Sequence, residues 1–357
     1  MIRIVVFAEV PCFYAAIERR DGSDPRPVVV GGDPRRRGLV QGASPEVEAL
    51  GVHEGMPMLE ALRLCARARS VRTDLPRYRE VSRRLFACLR RRFDRLEPFG
   101  LGAAYFDLAG ASAPPESIAA VLRDAVREEV GLPLRVGIAS GKFLARLAAQ
   151  ESEVNADGGG VRRVLAGCET DFLHPLPASR IDGVGQKTAA ALAELGATTI
   201  GEVVSLGRHR LEDVFGTHGL RIFASASGAD DGPVRAARHP QSLSREVTVR
   251  GEPLDLAALG ERLQDLARHL EVELEMLALS AAKVSLKVRY TDRVTTTRSR
   301  SLSSPIVAAI VIRDVASDLL TRTQAGSRPV RTLGIQLAKL APAAESGRQL
   351  DLFDTKF

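Results

Sequence analysis

"VVFAEVPCFYAAIE", residues 5–18, is an apolar run that meets a carboxylate and then turns into a helix. Ile4 to Phe7 reads as a strand that delivers Glu9 to its C-terminal end, and Phe13-Tyr14-Ala15-Ala16 opens a helix. A carboxylate at the end of a strand is a common way to hold a metal ion. Pro11 and Cys12, however, stand where a second acidic residue would be needed. The stretch therefore predicts an α/β unit with either a metal site or the remnant of one.

The same alternation continues downstream. Strands are predicted over 27–31, 38–43 and 70–73, with a helix near 58–65. A longer helix over 77–93 carries Val81, Leu85, Leu89 and Phe93 at helical spacing. Strands near 97–101 and 104–108, helix 115–129, strand 134–139 and helix 142–150 complete the unit. The Gly158-Gly159-Gly160 turn precedes a last strand at 161–165.

The chain has 357 residues, enough for two to four domains, and its 45% apolar and 26% charged content is that of a globular protein. No apolar run reaches the ~20 residues of a membrane span. The sequence opens directly on a strand, without a basic stretch and cleavage site, so no leader is expected. Cys12, Cys65, Cys88 and Cys168 are scattered, without a C-x-x-C pair, which argues against zinc and disulfides and for the cytoplasm. The net charge is +6, and residues 233–340, with 17 Lys/Arg against 11 Asp/Glu, carry an excess of the same size. A basic domain on a balanced chain suggests a polyanion as partner.

Residues 170–232 read as short helices. Within them "IDGVGQKTAAALAELG" places Gly183-Val184-Gly185 before a helix that starts near Lys187. Glycines let a phosphate approach the unpaired first-turn N–H groups, and the helix dipole favours the anion. This resembles a helix-hairpin-helix turn, which grips a DNA backbone without reading its sequence. After a linker, "PVRAARHPQ", the pattern is strand 243–250, helix 255–279, strands 282–290 and 294–302, helix 305–322 and strand 330–339. That β-α-β-β-α-β order gives an antiparallel sheet with both helices on one face. In "KVSLKVRY" Val284, Leu286 and Val288 point to the helices, while Lys283, Ser285, Lys287 and Arg289 point away. The basic face is expected to be open to a nucleic-acid backbone, with Arg298 and Arg300 extending it. Past "APAAESGR" comes "QLDLF", Gln349-Leu350-Asp351-Leu352-Phe353, an apolar peptide with no core to join and so a candidate docking peptide.

Taken together, "FYAAIERR", "PVVVGG", "GVHEGMPMLEALRLC", "RYREVSRRLF", "VGIASGKFLARLA", "IDGVGQKTA" and "VRTLGIQLAKL" resemble segments of the Y-family DNA polymerases, the DinB or DNA polymerase IV group, in family order. The resemblance spans roughly residues 1–353. It implies an α/β and α+β multidomain right hand. The palm would be 1–11 and 75–168, the fingers 12–74 and the helix-hairpin-helix thumb 169–232. A linker at 233–241 would lead to a β-α-β-β-α-β little finger at 242–340 and a tail at 341–357. "QLDLF" is similar to the family's clamp-binding peptide, so DNA and the β sliding clamp are the implied partners.

The same resemblance exposes what is missing. Nucleotidyl transfer uses two Mg²⁺ ions, one at the primer hydroxyl and one at the triphosphate. The family holds them with an acid at the end of its first strand and an Asp-Glu pair in "SLDEAY". Here the first aligns with Glu9, but the motif reads "GLGAAY" and the pair aligns with Gly102 and Ala103. The family's "SYEAR" reads "SPEVE", so Pro45 and Glu48 replace the Tyr and Arg that bind the triphosphate. A family Lys has no counterpart in "ESEVNADGG". Tyr14 matches the steric gate, but without a nucleotide it reads as a packed aromatic. The expectation is a non-catalytic homologue, similar to the ImuB-type branch, that links the clamp to a separate error-prone polymerase during damage tolerance. Typical members carry a longer C-terminal extension than this sequence shows. No cofactor is expected, and Mg²⁺ would matter only if residual activity exists. The alternatives are an active translesion polymerase with a rebuilt site using Glu9 and Asp107, and an interaction protein that no longer binds DNA.

Overall fold

The strand at the head of the chain lies at the centre of a five-stranded sheet. The computed structural model describes residues 3–93, 95–110, 113–153, 158–229, 232–235, 240–249 and 256–343. Its strands are β1 (Val5–Glu9), β2 (Val28–Gly31), β3 (Val40–Ala43), β4 (Arg69–Arg72), β5 (Leu96–Phe99), β6 (Ala103–Asp107), β7 (Arg135–Ala139), β8 (Gly160–Arg163), β9 (Ser242–Thr248), β10 (Leu279–Tyr290), β11 (Thr295–Ile306) and β12 (Val330–Pro342). The chain divides into two compact units, Met1–Ala237 and Arg238–Phe357.

In the first unit the large sheet has the order β5-β6-β1-β7-β8. β1 is antiparallel to both β6 and β7, and β8 runs parallel to β7. β1 is buried on both faces, and so reads as a continuous apolar run rather than an alternation. On one face Val6 and Ala8 join Leu85, Leu89, Leu122 and Val126 from the helices Leu75–Arg90 and Pro115–Val130. On the other, Val5 and Phe7 join Phe143, Leu144 and Leu147 of the helix Lys142–Gln150, in a core that continues into the short helices after Cys168. A separate three-stranded sheet, β3-β2-β4, has its own small core around Val29, Val47 and Met58.

The helix Phe13–Asp21 is fixed from both ends. Cys12 precedes it in the left-handed region, with φ of 50°, a conformation uncommon for a residue with a side chain. Further along, the buried carboxylate of Glu18 accepts hydrogen bonds from Tyr78 Oη at 2.9 Å and Arg77 at 3.0 Å. Those bonds tie it to Leu75–Arg90, and they satisfy a buried charge that would otherwise be costly.

The second unit is a four-stranded antiparallel sheet, order β11-β10-β12-β9, with the helices Leu256–Met276 and Ala309–Thr321 against one face. Val284, Leu286, Val288, Leu333, Ile335 and Leu337 form its core with both helices. The β-α-β-β-α-β order read from the sequence is the one observed.

Candidate functional site

Glu9, Ala103 and Arg135 stand abreast on three neighbouring strands. Glu9 is the register partner of Ala103 on β6 and of Arg135 on β7, so all three side chains leave the same face of the sheet. The adjacent Gly102 is covered by Phe13. A Cβ added at Gly102 would lie 2.7 Å from the Phe13 ring and 3.0 Å from its Cβ. The first residue of the helix thus fills the space into which a side chain at 102 would grow. Tyr14 stacks on Tyr78 with ring centroids 4.7 Å apart and lies close to Gly42 of β3. It is a packed aromatic between two elements of the first unit.

The charges around the half-buried Glu9 are the protein's own, with Glu48 on the exposed side. Burial raises the Glu9 carboxyl above the ordinary carboxylate value, Arg135, Arg146 and Arg180 pull it down, and Glu48 pushes it up further. Glu48 is raised by burial as well, against a hydrogen bond from Cys12 and the field of Arg135. The Cys12 thiol is pushed up to about 12, by burial first and then by Glu48. Glu48 reaches this place because Pro45–Glu48 forms a single helical turn after Ser44, whose buried hydroxyl accepts the Val28 N–H at 3.0 Å. Sequence reasoning placed no helix there, although Pro at the first turn after a serine is a helix-start signal.

These residues do not fit a two-metal centre. Glu9 is one carboxylate, Gly102 and Ala103 supply none, and Arg135 adds a cation beside it. Asp107, a candidate ligand of a rebuilt site, pairs with Val5 at the opposite end of β6 from Ala103. Four residues of strand put it ~13 Å from the level of Glu9, and its carboxylate accepts the Ala109 N–H at 2.9 Å. Asp107 and Glu9 therefore cannot share an ion. Among the described residues no three His, Cys, Asp or Glu side chains gather.

In the short-helix region, Gly183 has φ of 85°, Val184 is buried, and Gly185 precedes the helix Gln186–Glu194 with Lys187 exposed in its first turn. The turn points its valine inward and leaves the glycine backbone outward. His218 packs on Gly183, 2.8 Å from where a Cβ would be. The positive φ favours glycine there, and an added Cβ would push the edge of the His218 ring aside.

In the second unit, Lys283, Ser285, Lys287 and Arg289 lie on the face of the sheet away from the helices, where Lys287 and Arg289 are exposed, Lys283 is half-buried and Ser285 is buried. By register their neighbours on β11 are Ser301, Ser299, Thr297 and Thr295. Lys287 is paired with Glu246 of β9 at 2.9 Å, and Ser285 bonds Ser299 at 3.0 Å. The face is thus rich in hydroxyls as well as cations. Arg298 and Arg300 do not extend it. Their partners are Leu286 and Val284, so they belong to the helix-covered face. Arg300 pairs with Asp318 at 2.8 Å and Arg298 donates to the Arg322 carbonyl at 3.1 Å. A strand's side-chain period is two, so an odd offset in register reverses the face. The peptide Gln349 to Phe353 lies outside the described residues, as do residues 154–157 of the "ESEVNADGG" segment and 236–239 of the linker.

Two family models match, the impB/mucB/samB family over residues 9–150 and its C-terminal domain over 240–352. DNA polymerase IV of Halorhodospira halophila is 34% identical over 356 residues, covering 98% of both chains. The DNA polymerase IV of Methanoculleus marisnigri is 36% identical over 361 residues, again with 98% of each covered. The chain belongs to the Y family of DNA polymerases. A Y-family DNA polymerase chimera of Dbh and Dpo4 superposes with a TM-score of 0.79 at 24% identity, covering 94% of this chain and 98% of the other. An insertion ternary complex of Dbh DNA polymerase gives 0.70 with the same coverage. At that identity the structures speak for the fold, and the Y-family resemblance of the sequence is upheld over the whole chain.

Proposed function

We propose that this chain is a non-catalytic Y-family homologue that binds DNA and the β sliding clamp as an accessory in translesion synthesis, in the manner of the ImuB-type branch. One observation carries the reading. Glu9 is flanked in register by Ala103 and Arg135, and Phe13 occupies the space over Gly102. Mg²⁺ would have to be held there by a single carboxylate beside a guanidinium, and an incoming triphosphate would meet Glu48 instead of a cation. DNA contacts fall to the backbone at Gly183, Gly185 and Lys187, and to Lys283, Lys287 and Arg289. Gln349, Leu350, Asp351, Leu352 and Phe353 form the clamp-binding peptide, and a separate error-prone polymerase is the enzyme served.

A second reading is an active translesion polymerase, because the relatives of similar length are named DNA polymerase IV. It needs carboxylates that Gly102 and Ala103 do not provide. Retention on primed circular DNA tests the proposal. The chain should be held when the clamp has been loaded and released once the DNA is linearised and the clamp slides off. Retention indifferent to the clamp would refute the clamp-linked role.

A further inference from the structure

Three guanidiniums act on Glu9, and they are not equivalent. Arg146 is hydrogen-bonded to Asp182, and Arg180 to Glu151. Arg135, half-buried on the first residue of β7, has no carboxylate at ion-pair distance among the described residues. Its Nε is buried without a hydrogen-bond partner, as are those of Arg146 and Arg180, so the missing carboxylate is what sets Arg135 apart. A half-buried guanidinium without an anionic partner has lost hydration that no ion pair replaces, so it is poised for an acceptor. Its position is fixed by backbone register beside Glu9, not by a loop.

We propose that Arg135 is a metal-independent phosphate contact in the palm, taking a phosphodiester oxygen near the end of a nucleic-acid strand. This rests on the DNA-binding reading above and adds a site to it. Divalent cations would neutralise phosphate charge at a catalytic palm. A guanidinium neutralises it with a permanent charge and a planar donor fork, suited to phosphate oxygens. It survives chelation, and it cannot activate a hydroxyl, because it neither gives up its proton near neutral pH nor generates a bound hydroxide. Such a site holds a strand end and does no chemistry on it.

The test is fluorescence anisotropy in EDTA on a duplex with a recessed 3′ end. Arg135→Gln should weaken binding by roughly five- to tenfold and reduce the salt slope by about one contact. Replacing the last few linkages of the recessed strand by neutral methylphosphonates should bring the native chain to the level of the variant and leave the variant unchanged. Arg135→Lys, which keeps the charge without the fork, should lie between. Equal loss by Arg135→Gln on both duplexes, or indifference of the native chain to the methylphosphonates, would overturn the contact, and the second comparison needs no variant to fold. Tight DNA binding independent of Arg135 removes this site alone, whereas no DNA binding by the native chain removes the proposed function with it.

Discussion

Restoring the family carboxylates by Gly102→Asp with Ala103→Glu should destabilise the chain and give no polymerase. A Cβ at 102 lies 2.7 Å from the Phe13 ring, closer than real contacts allow, so the ring or the helix start must move. Overpacking of this kind costs about 1–3 kcal/mol. The carboxylate introduced by Ala103→Glu would stand directly opposite Glu9 in register, with the two Cβ atoms ~5 Å apart. Two carboxylates ~4 Å apart repel by on the order of 4 kcal/mol at an effective dielectric near 20, before solvent reduces it. A total loss of roughly 2–5 kcal/mol is expected, or a melting point lower by about 5–15 °C for a unit of this size. The second half of the argument concerns the nucleotide. Pro45 offers no donor, and Glu48 adds a carboxylate where a triphosphate would need cations, so nucleotide affinity stays weak even if one ion binds. Scanning calorimetry with and without Mn²⁺, together with primer extension, measures both halves. A double variant that melts like the native chain, gains stability with Mn²⁺ and extends a primer would show that neither Phe13 nor the phosphate cradle is an obstacle.

Charge reversal of Lys283, Lys287 and Arg289 should flatten the salt dependence of DNA binding by about two to three contacts, whereas reversal of Arg298 and Arg300 should leave the slope unchanged; titrations at several salt concentrations separate the two faces. Deleting residues 349–353 should abolish clamp binding, read by surface plasmon resonance, with DNA affinity unaltered. Tyr78→Phe removes a donor from the buried Glu18 carboxylate and should cost about 1–2 kcal/mol in urea unfolding. Burial raises the folded carboxyl of Glu9, so the native state holds its proton longer than the unfolded chain, and stability falls as pH rises from the ordinary carboxylate range through the raised value. Glu9→Gln should therefore stabilise the chain at neutral pH, with the gain vanishing in acid, as pH-dependent urea melts would record.

The second unit was legible because alternation in "KVSLKVRY" is a local property, and one covered face imposes it. The face of Arg298 and Arg300 was not, because it depends on the turn after Tyr290. That turn places Arg293 at φ of 72° and pairs Arg289 with Thr295, so odd positions face odd and even positions face even across the hairpin. Counting along one strand cannot supply that register. The departures that the resemblance implies at Gly102, Ala103, Pro45 and Glu48 could be read directly, since a letter that differs from a motif is visible in the sequence. Arg135 gave no signal. Its meaning comes from lying beside Glu9 across β1 and β7, a pairing between segments far apart in the chain. Phe13 was equally silent, because a helix-start aromatic looks the same whether it packs in a core or fills a vacated ligand position. Pro45–Glu48 is too short for periodicity to show.

Primer extension by the native chain with Mg²⁺ and with Mn²⁺, on the same recessed duplex and at concentrations where anisotropy shows the duplex bound, tests the central claim most directly. The account predicts bound, unextended primer under both metals. Template-directed extension that disappears in Glu9→Gln would contradict it, because it would mean that a metal is held at Glu9 after all.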